Sequence, residues 1–260
     1  MKKVALIVAV ILACCLAIPL FVGCKETPVL KTKDGSWQVS VSEQNEVTLD
    51  KYLGDEAEVI VPAKVSVEGK GDDLTVVALG DSAFMKIDDG KGKWRTRETY
   101  AANTTLKKVT FAGDIKSIGN MAFYLCSALE SITLPDSVES VGDFAFFGCE
   151  KLTSIVLPAA CKSIGAYSFR ACSSLSEVKV LAVDKLPDLG DKAFYLVNEK
   201  ASDDDQYYII PTLKIYVPAE ALSLYDPDAI EKERRETKLN NHRYWTDYIN
   251  AGCFPQLAKD

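Results

Sequence analysis

Eight cysteines, one histidine and a run of three aspartates are the side chains here best suited to chemistry. Thiolates bind soft metals, form disulfides or attack electrophiles. Cys14, Cys15 and Cys24 lie in an apolar leader, which leaves Cys126, Cys149, Cys161, Cys172 and Cys253 in the body. None has the CxxC spacing of a zinc finger, and an odd number cannot pair completely. His242 stands alone in Asn240-Asn241-His242-Arg243, short of what a triad or a multi-histidine metal site needs. Asp203-Asp204-Asp205 lacks the DxDxDG order of a calcium loop and reads as a solvated acidic loop. GxSxG, P-loop and GxGxxG motifs do not occur, and no spacing singles out a pair of carboxylates. The expectation is a chain that is no enzyme, with no catalytic residue, no metal and no cofactor.

The cysteines carry another message. Cys126, Cys149 and Cys172 fall 23 residues apart. So do Leu106, Leu129, Leu152 and Leu175, and other columns share their phase: Val109, Ile132, Ile155 and Val178; Phe111, Leu134, Leu157 and Val180. Ile118-Gly119, Val141-Gly142 and Ile164-Gly165 follow, then Ala122-Phe123, Ala145-Phe146 and Ser168-Phe169. A fixed period in this range is the mark of a leucine-rich repeat solenoid, in which stacked coils bury continuous ladders that no single coil could bury. The step Ile132-Thr133-Leu134 reads as a short strand with both apolar side chains inward, stopped by Pro135. The glycine column is expected to permit a tight turn. Cysteine here reads as a small buried hydrophobe.

Weaker copies flank the clear ones. Val59-Ile60-Val61-Pro62 and Ile215-Tyr216-Val217-Pro218 match the strand and stop, while Leu79-Gly80 with Ala83-Phe84 and Leu189-Gly190 with Ala193-Phe194 match the turn. The fold class is therefore a mainly β solenoid, a leucine-rich repeat of about six coils. Trp37 to Leu53 alternates like a strand pair and is expected to form an N-terminal strand cap. Ala219 to Tyr225 reads as a short helix opening a C-terminal helical cap, 219–260, in which Trp245, Tyr248 and Phe254 supply the apolar face.

The pattern in residues 129–149, L-x-x-I-x-L-P-x-x-V-x-x-V-G-x-x-A-F-x-x-C, resembles the BspA-like, or treponemal-type, leucine-rich repeat. Val47-Thr48-Leu49 through Val61-Pro62 resembles the usual opening segment of that family. Ile215 to Pro218, with Tyr225 and Trp245-Thr246-Asp247-Tyr248, resembles the usual closing one. The resemblance implies a protein of the bacterial surface that binds protein partners, such as host matrix or cell-surface proteins; the fold alone does not guarantee this.

The leader sets the compartment. Lys2 and Lys3 precede an apolar run from Val4 to Ile18, and Phe21-Val22-Gly23 leads to Cys24. This reads as an export signal over 1–23. Its ending resembles a lipobox, a resemblance that implies cleavage before Cys24 and lipidation of its sulfur. Phe21 and Val22 depart from the usual leucine and small residue, and the 20-residue run from Val4 to Gly23 also has the length of an uncleaved anchor. Each buried acyl methylene contributes about 0.8 kcal/mol, so two or three chains would hold the body at a membrane. Residues 24–36 read as a tether and 37–218 as the solenoid with its N-terminal cap. The expected location is the bacterial cell envelope, lipid-anchored and on its outer surface.

Two breaks in the period point to binding. Phe123 to Ile132 spans 9 residues, but Phe84 to Val109 spans 25 and Phe194 to Ile215 spans 21. Both insertions follow the Phe column, so both should emerge along one edge. The first holds Lys91, Lys93, Trp94, Arg95, Arg97 and Tyr100; the second holds Asp203–Asp205, Tyr207 and Tyr208. Aromatic and arginine side chains dominate interface hot spots, so these are the candidate partner-binding residues. The outward stripe of Ile60, Thr110, Thr133, Val156, Lys179 and Tyr216 suits an ordinary strand surface. Asn103-Thr104-Thr105, an N-glycosylation acceptor in form, reads as a loop. The net charge of -7, more negative once Lys2 and Lys3 are removed, repels nucleic acid. An envelope scaffold facing the periplasm is the second reading. A glycan-binding module or an enzyme is the third, and a sugar platform could begin only at Trp94 and Tyr100.

Overall fold

The structure, a computed structural model, describes residues 29–87, 100–197, 207–210, 213–225 and 255–257; for 87, 196–197, 207–209, 225 and 255–257 it describes the backbone alone. The first strands are β1 (Leu30–Lys31), β2 (Trp37–Val41), β3 (Val47–Tyr52), β4 (Glu58–Val61), β5 (Lys64–Val67) and β6 (Gly71–Leu79). They are followed by β7 (Lys86–Ile87), β8 (Tyr100–Ala101), β9 (Lys108–Phe111), β10 (Ser117–Ile118), β11 (Ser131–Ile132), β12 (Ser140–Val141) and β13 (Ser154–Leu157). The remainder are β14 (Ser163–Ile164), β15 (Glu177–Val180), β16 (Asp188–Leu189), β17 (Tyr195–Val197), β18 (Tyr207–Ile209), β19 (Lys214–Val217) and β20 (Pro255–Leu257).

Each coil contributes a strand to two ladders. In one, β6, β10, β12, β14 and β16 pair in parallel, with Ile118 opposite Val141 and Val141 opposite Ile164. In the other, β4, β9 and β11 pair in parallel, and so do β13, β15 and β19. The 23-residue register seen in the sequence is the register of the pairing: Ser154 faces Glu177 and Leu157 faces Val180. Alternation is clean in β13, where Ile155 and Leu157 are buried while Ser154 and Val156 face out.

Between the ladders lies one core. Leu106, Leu129, Leu152 and Leu175 are buried in it, as are the cysteines Cys126, Cys149, Cys161 and Cys172. Its spine is a stack of phenylalanines. Phe84, Phe123, Phe146, Phe169 and Phe194 follow one another at 4.9, 5.0, 5.0 and 5.1 Å between ring centroids, and the rings are nearly parallel.

The glycine column has another purpose than the one expected. A Cβ on Gly119 would lie 2.5 Å from the Gly80 carbonyl carbon, and one on Gly142 would lie 2.6 Å from the Asn120 nitrogen. Glycine stands there because the neighbouring backbone leaves no room for a side chain. The reversal of the chain falls two residues later, at Ser82, Met121, Phe144, Tyr167 and Lys192, whose φ angles are 62, 56, 55, 57 and 47°. Side chains then tie coil to coil: Asp81 Oδ1 accepts from Asn120 N at 2.7 Å, Asn120 Oδ1 from Asp143 N at 2.8 Å, and Asp143 Oδ1 from Ala166 N at 2.7 Å. Ala166 has no side-chain acceptor to continue the series.

The ends differ from expectation in part. β2 and β3 do form an antiparallel pair, and β3 joins β6. β1, within the stretch read as tether, pairs with β2, and Thr32 behind it is 2% exposed, so the folded body begins by Leu30. At the other end Ala219–Tyr225 is a 3-10 helix. Residues 226–254 of the expected helical cap lie outside the described residues, and 255–257 form a strand paired with β19 rather than a helix. Among the described residues, no helix is long and apolar enough to cross a membrane.

Two substitutions test this packing by denaturant unfolding. Phe146→Ala empties the middle of the stack and should cost about 3–5 kcal/mol. Gly142→Ala, which meets backbone rather than a flexible side chain, should cost about 1–3 kcal/mol although it adds one methyl group.

Candidate functional site

Both insertions are rooted in hairpins just past the phenylalanine stack. After Phe84, β7 and β8 pair antiparallel, with Lys86 opposite Ala101 and Ile87 opposite Tyr100. After Phe194, β17 and β18 pair antiparallel, with Leu196 opposite Tyr208 and Val197 opposite Tyr207. Phe84 and Phe194 belong to one stack, so the roots share an edge and stand four strand spacings, about 20 Å, apart. At the first root Lys86 forms an ion pair with Asp55. Tyr100 is half-buried there. Lys91, Lys93, Trp94, Arg95 and Arg97 lie outside the described residues, as do Cys24 and Asp203–Asp205; of Tyr207 and Tyr208 only the backbone is placed.

Between the roots runs an aromatic ledge that the sequence reading missed. Met85, Tyr124 and Phe147 form a small buried cluster outside the main core, with Tyr100, Met121, Leu125, Phe144 and Ala171 packed against it. Tyr100 meets Tyr124 edge-on at 5.5 Å, Tyr124 stacks on Phe147 at 5.0 Å, and Phe144 stacks on Tyr167 at 5.0 Å. The Arg170 guanidinium lies 5.5 Å from the Phe147 ring centre and 5.2 Å from that of Tyr167. The ledge reaches the second root through Ala171 N, which donates to Tyr195 O at 2.9 Å. The signal was present as two further columns at the repeat spacing, Met121-Phe144-Tyr167 and Tyr124-Phe147-Arg170. An aromatic platform thus exists without Trp94, in the middle coils.

The backbone of the ledge is costly. Met121, Leu125, Phe144 and Tyr167 hold φ between 55 and 57°. Bulky side chains rarely adopt this left-handed conformation, which costs roughly 1–2 kcal/mol per residue and suits glycine or asparagine. Large apolar groups stand on the edge despite that penalty.

The cysteine column has a hydrogen-bonding role. Cys149 Sγ donates to Phe123 O at 3.3 Å and Cys172 Sγ to Phe146 O at 3.1 Å. One coil earlier Asn103 does the same work: its Nδ2 donates to Phe84 O at 3.2 Å, while its Oδ1 accepts from Leu106 N at 3.1 Å. Asn103 is 5% exposed, so this asparagine of the Asn-Thr-Thr triplet is a buried part of the frame. Burial pushes the Cys126 thiol up to about 12 and the Cys161 thiol up to about 11. Burial, with the adjacent Cys172, also raises that of Cys149. These thiols are poor nucleophiles and poor metal ligands. Among the described residues, no group of three or more His, Cys, Asp or Glu is placed to hold a metal ion.

The stacked parallel coils, the phenylalanine spine and the Asn/Cys column define a leucine-rich repeat solenoid. Residues 96–201 match the BspA type leucine rich repeat region family in six copies. No curated protein matches the chain in sequence. Among solved structures, a leucine rich repeat protein of T. pallidum is 23% identical, with 74% of this chain and 72% of that one covered and a TM-score of 0.50. A leucine-rich repeat protein of Bacteroides capillosus is 23% identical, with 56% of this chain and 94% of that one covered and a TM-score of 0.45.

Site-resolved thiol labelling tests the column. In the native protein at about pH 8 an aryl disulfide should leave Cys126, Cys149, Cys161 and Cys172 unmodified, and denaturant should expose all four.

Proposed function

We propose that this chain is a lipid-anchored protein of the bacterial outer surface that binds protein partners along the edge between its two insertions. One observation carries the reading: two hairpin roots bracket an aromatic ledge whose large apolar side chains occupy strained backbone positions. The left-handed turn recurs at Ser82 and Lys192 and belongs to every coil; between the roots it carries large apolar side chains, although small or polar ones suffice at those two positions. The charges of the insertions agree with it. Lys91, Lys93, Trp94, Arg95 and Arg97 would offer cationic and aromatic contacts at one end, while Tyr207 and Tyr208, beside Asp203–Asp205, would offer acidic and aromatic ones at the other. The stacked rings cover one another's faces and present their edges, which favours a protein partner over a sugar stacked on an exposed ring. The export signal and Cys24 supply the anchor, and residues 25–29 the reach beyond it. BspA-type repeats on bacterial surfaces support the location.

The exported chain, presented to a panel of extracellular matrix proteins and whole cells, should bind at least one. Replacing residues 91–97 with a Gly-Ser linker should weaken that binding at least tenfold. Phe144→Asn should do likewise while changing stability by no more than about 1 kcal/mol, since the stacking lost is offset by relief of the left-handed backbone. Protease treatment of intact cells should remove the body, and Cys24→Ser should release it from the membrane. A body that resists shaving and binds nothing would make it an inward-facing envelope scaffold instead.

A further inference from the structure

The solenoid closes some of its sheet edges and leaves one open. At the N-terminal end of the β6–β16 ladder, β1, β2 and β3 continue the sheet as antiparallel strands. At the C-terminal end of the other ladder, β20 pairs with β19. At the N-terminal end of that same ladder, among the described residues, nothing pairs with the outer side of β4.

The hydrogen bonds show which groups are exposed there. In a parallel ladder one residue in two turns both its N–H and its C=O to the same neighbour. Ala57 O accepts from Lys108 N at 3.1 Å and Val61 O from Ala112 N at 2.9 Å, so Ala57, Val59 and Val61 face β9. Glu58 and Ile60 therefore turn their amide and carbonyl groups outward. Their side chains are also outward: Glu58 is exposed, and Ile60, at 69%, has the highest exposure among the described large hydrophobic residues. Glu58 enters no ion pair among the described residues; Lys108 stands beside it on the inner side, in β9, while Asp55 and Glu56 precede it, so the outer side of this edge is acidic. Asp55 is engaged by Lys86 and Glu56 by the Tyr52 hydroxyl, which leaves Glu58 as the open charge.

We propose that the outer edge of β4 is a strand-addition site for an extended segment of a partner protein that carries a basic and an apolar side chain two residues apart, on one face. The added strand would bond to the free groups of Glu58 and Ile60, set an apolar residue beside Ile60 and a lysine or arginine beside Glu58. The site is separate from the ledge, and loss of residues 91–97 leaves it intact.

The exported chain is titrated with three capped hexapeptides: a serine–threonine background with a lysine and a valine two positions apart, the same peptide with glutamate in place of the lysine, and the lysine peptide N-methylated on alternate amides. The first should bind at least tenfold more tightly than the other two. Ile60→Pro removes only the outward N–H, since Ile60 does not bond to β9, and edge strands accept proline. It should weaken binding at least tenfold without lowering the unfolding midpoint. Glu58→Lys should invert the preference between the charged peptides. Equal binding of the methylated peptide, indifference to Ile60→Pro, or no binding of any peptide would overturn the proposal. So would a concentration-dependent dimer abolished by Ile60→Pro, because the occupant would then be a second copy.

Discussion

Adjacent coils of this protein stand one strand spacing apart, and backbone hydrogen bonds hold them there. Gly119 N reaches Leu79 O at 2.9 Å, Gly142 N reaches Ile118 O at 2.9 Å, Gly165 N reaches Val141 O at 2.8 Å and Gly190 N reaches Ile164 O at 2.7 Å. At that distance a column of identical side chains must stack, and a column with no room must be glycine. The phenylalanine spine, the glycine column and the Asp81-Asn120-Asp143 series are three answers to one spacing. Hydrophobic burial supplies the driving force, but the backbone spacing decides which residue types each position accepts.

The same spacing accounts for groups that look reactive. A thiol every 23 residues suggests redox or metal chemistry until its partner is seen. The phenylalanine carbonyls turn into a dry interior where lone pairs are expensive to leave bare; Cys126 N and Cys149 N fill one on Phe123 O and Phe146 O, at 3.1 and 3.2 Å, and the Asn/Cys column adds a side-chain donor. Asn103 adds an amide, and Cys149 and Cys172 add S–H. The column is conspicuous in sequence because a structural demand recurs, and its burial makes it inert.

The fold was legible because stacking converts space into period. Leu106 to Leu175, the paired strands and the Phe column could be read directly, and the two insertions announced themselves as departures from that period. What could not be read had no period or was hidden by one. The glycines looked like turn residues because the backbone that excludes a side chain belongs to another coil. The ledge escaped because Met121, Phe144 and Tyr167 are chemically unlike the glycine or asparagine that a left-handed backbone suggests. β1 was lost in a polar stretch whose pairing depends on β2, and 37 residues separate β20 from the end of β19, too many for local pattern to link them. The strongest sequence candidates, Lys91 to Arg97, sit in the first insertion, whereas the described part of the edge, Tyr100 apart, is built from residues that sequence alone assigned to no role.

The series of side-chain acceptors stops at Ala166, and another contact spans the next gap. The Tyr167 hydroxyl donates to Asp191 Oδ2 at 3.1 Å. Tyr167 is thus a member of the ledge and also a tie to the coil that carries the second insertion. A ligand on the proposed ledge site that drew the Tyr167 ring toward itself would compete with that tie, and a coil held more firmly by it would bind that ligand less tightly. Occupancy of the proposed ledge site and the stance of the last coil would therefore be linked equilibria, each opposing the other by the same free energy. In a molecule built by repetition, this irregular rung would join the proposed binding edge to the architecture beneath it.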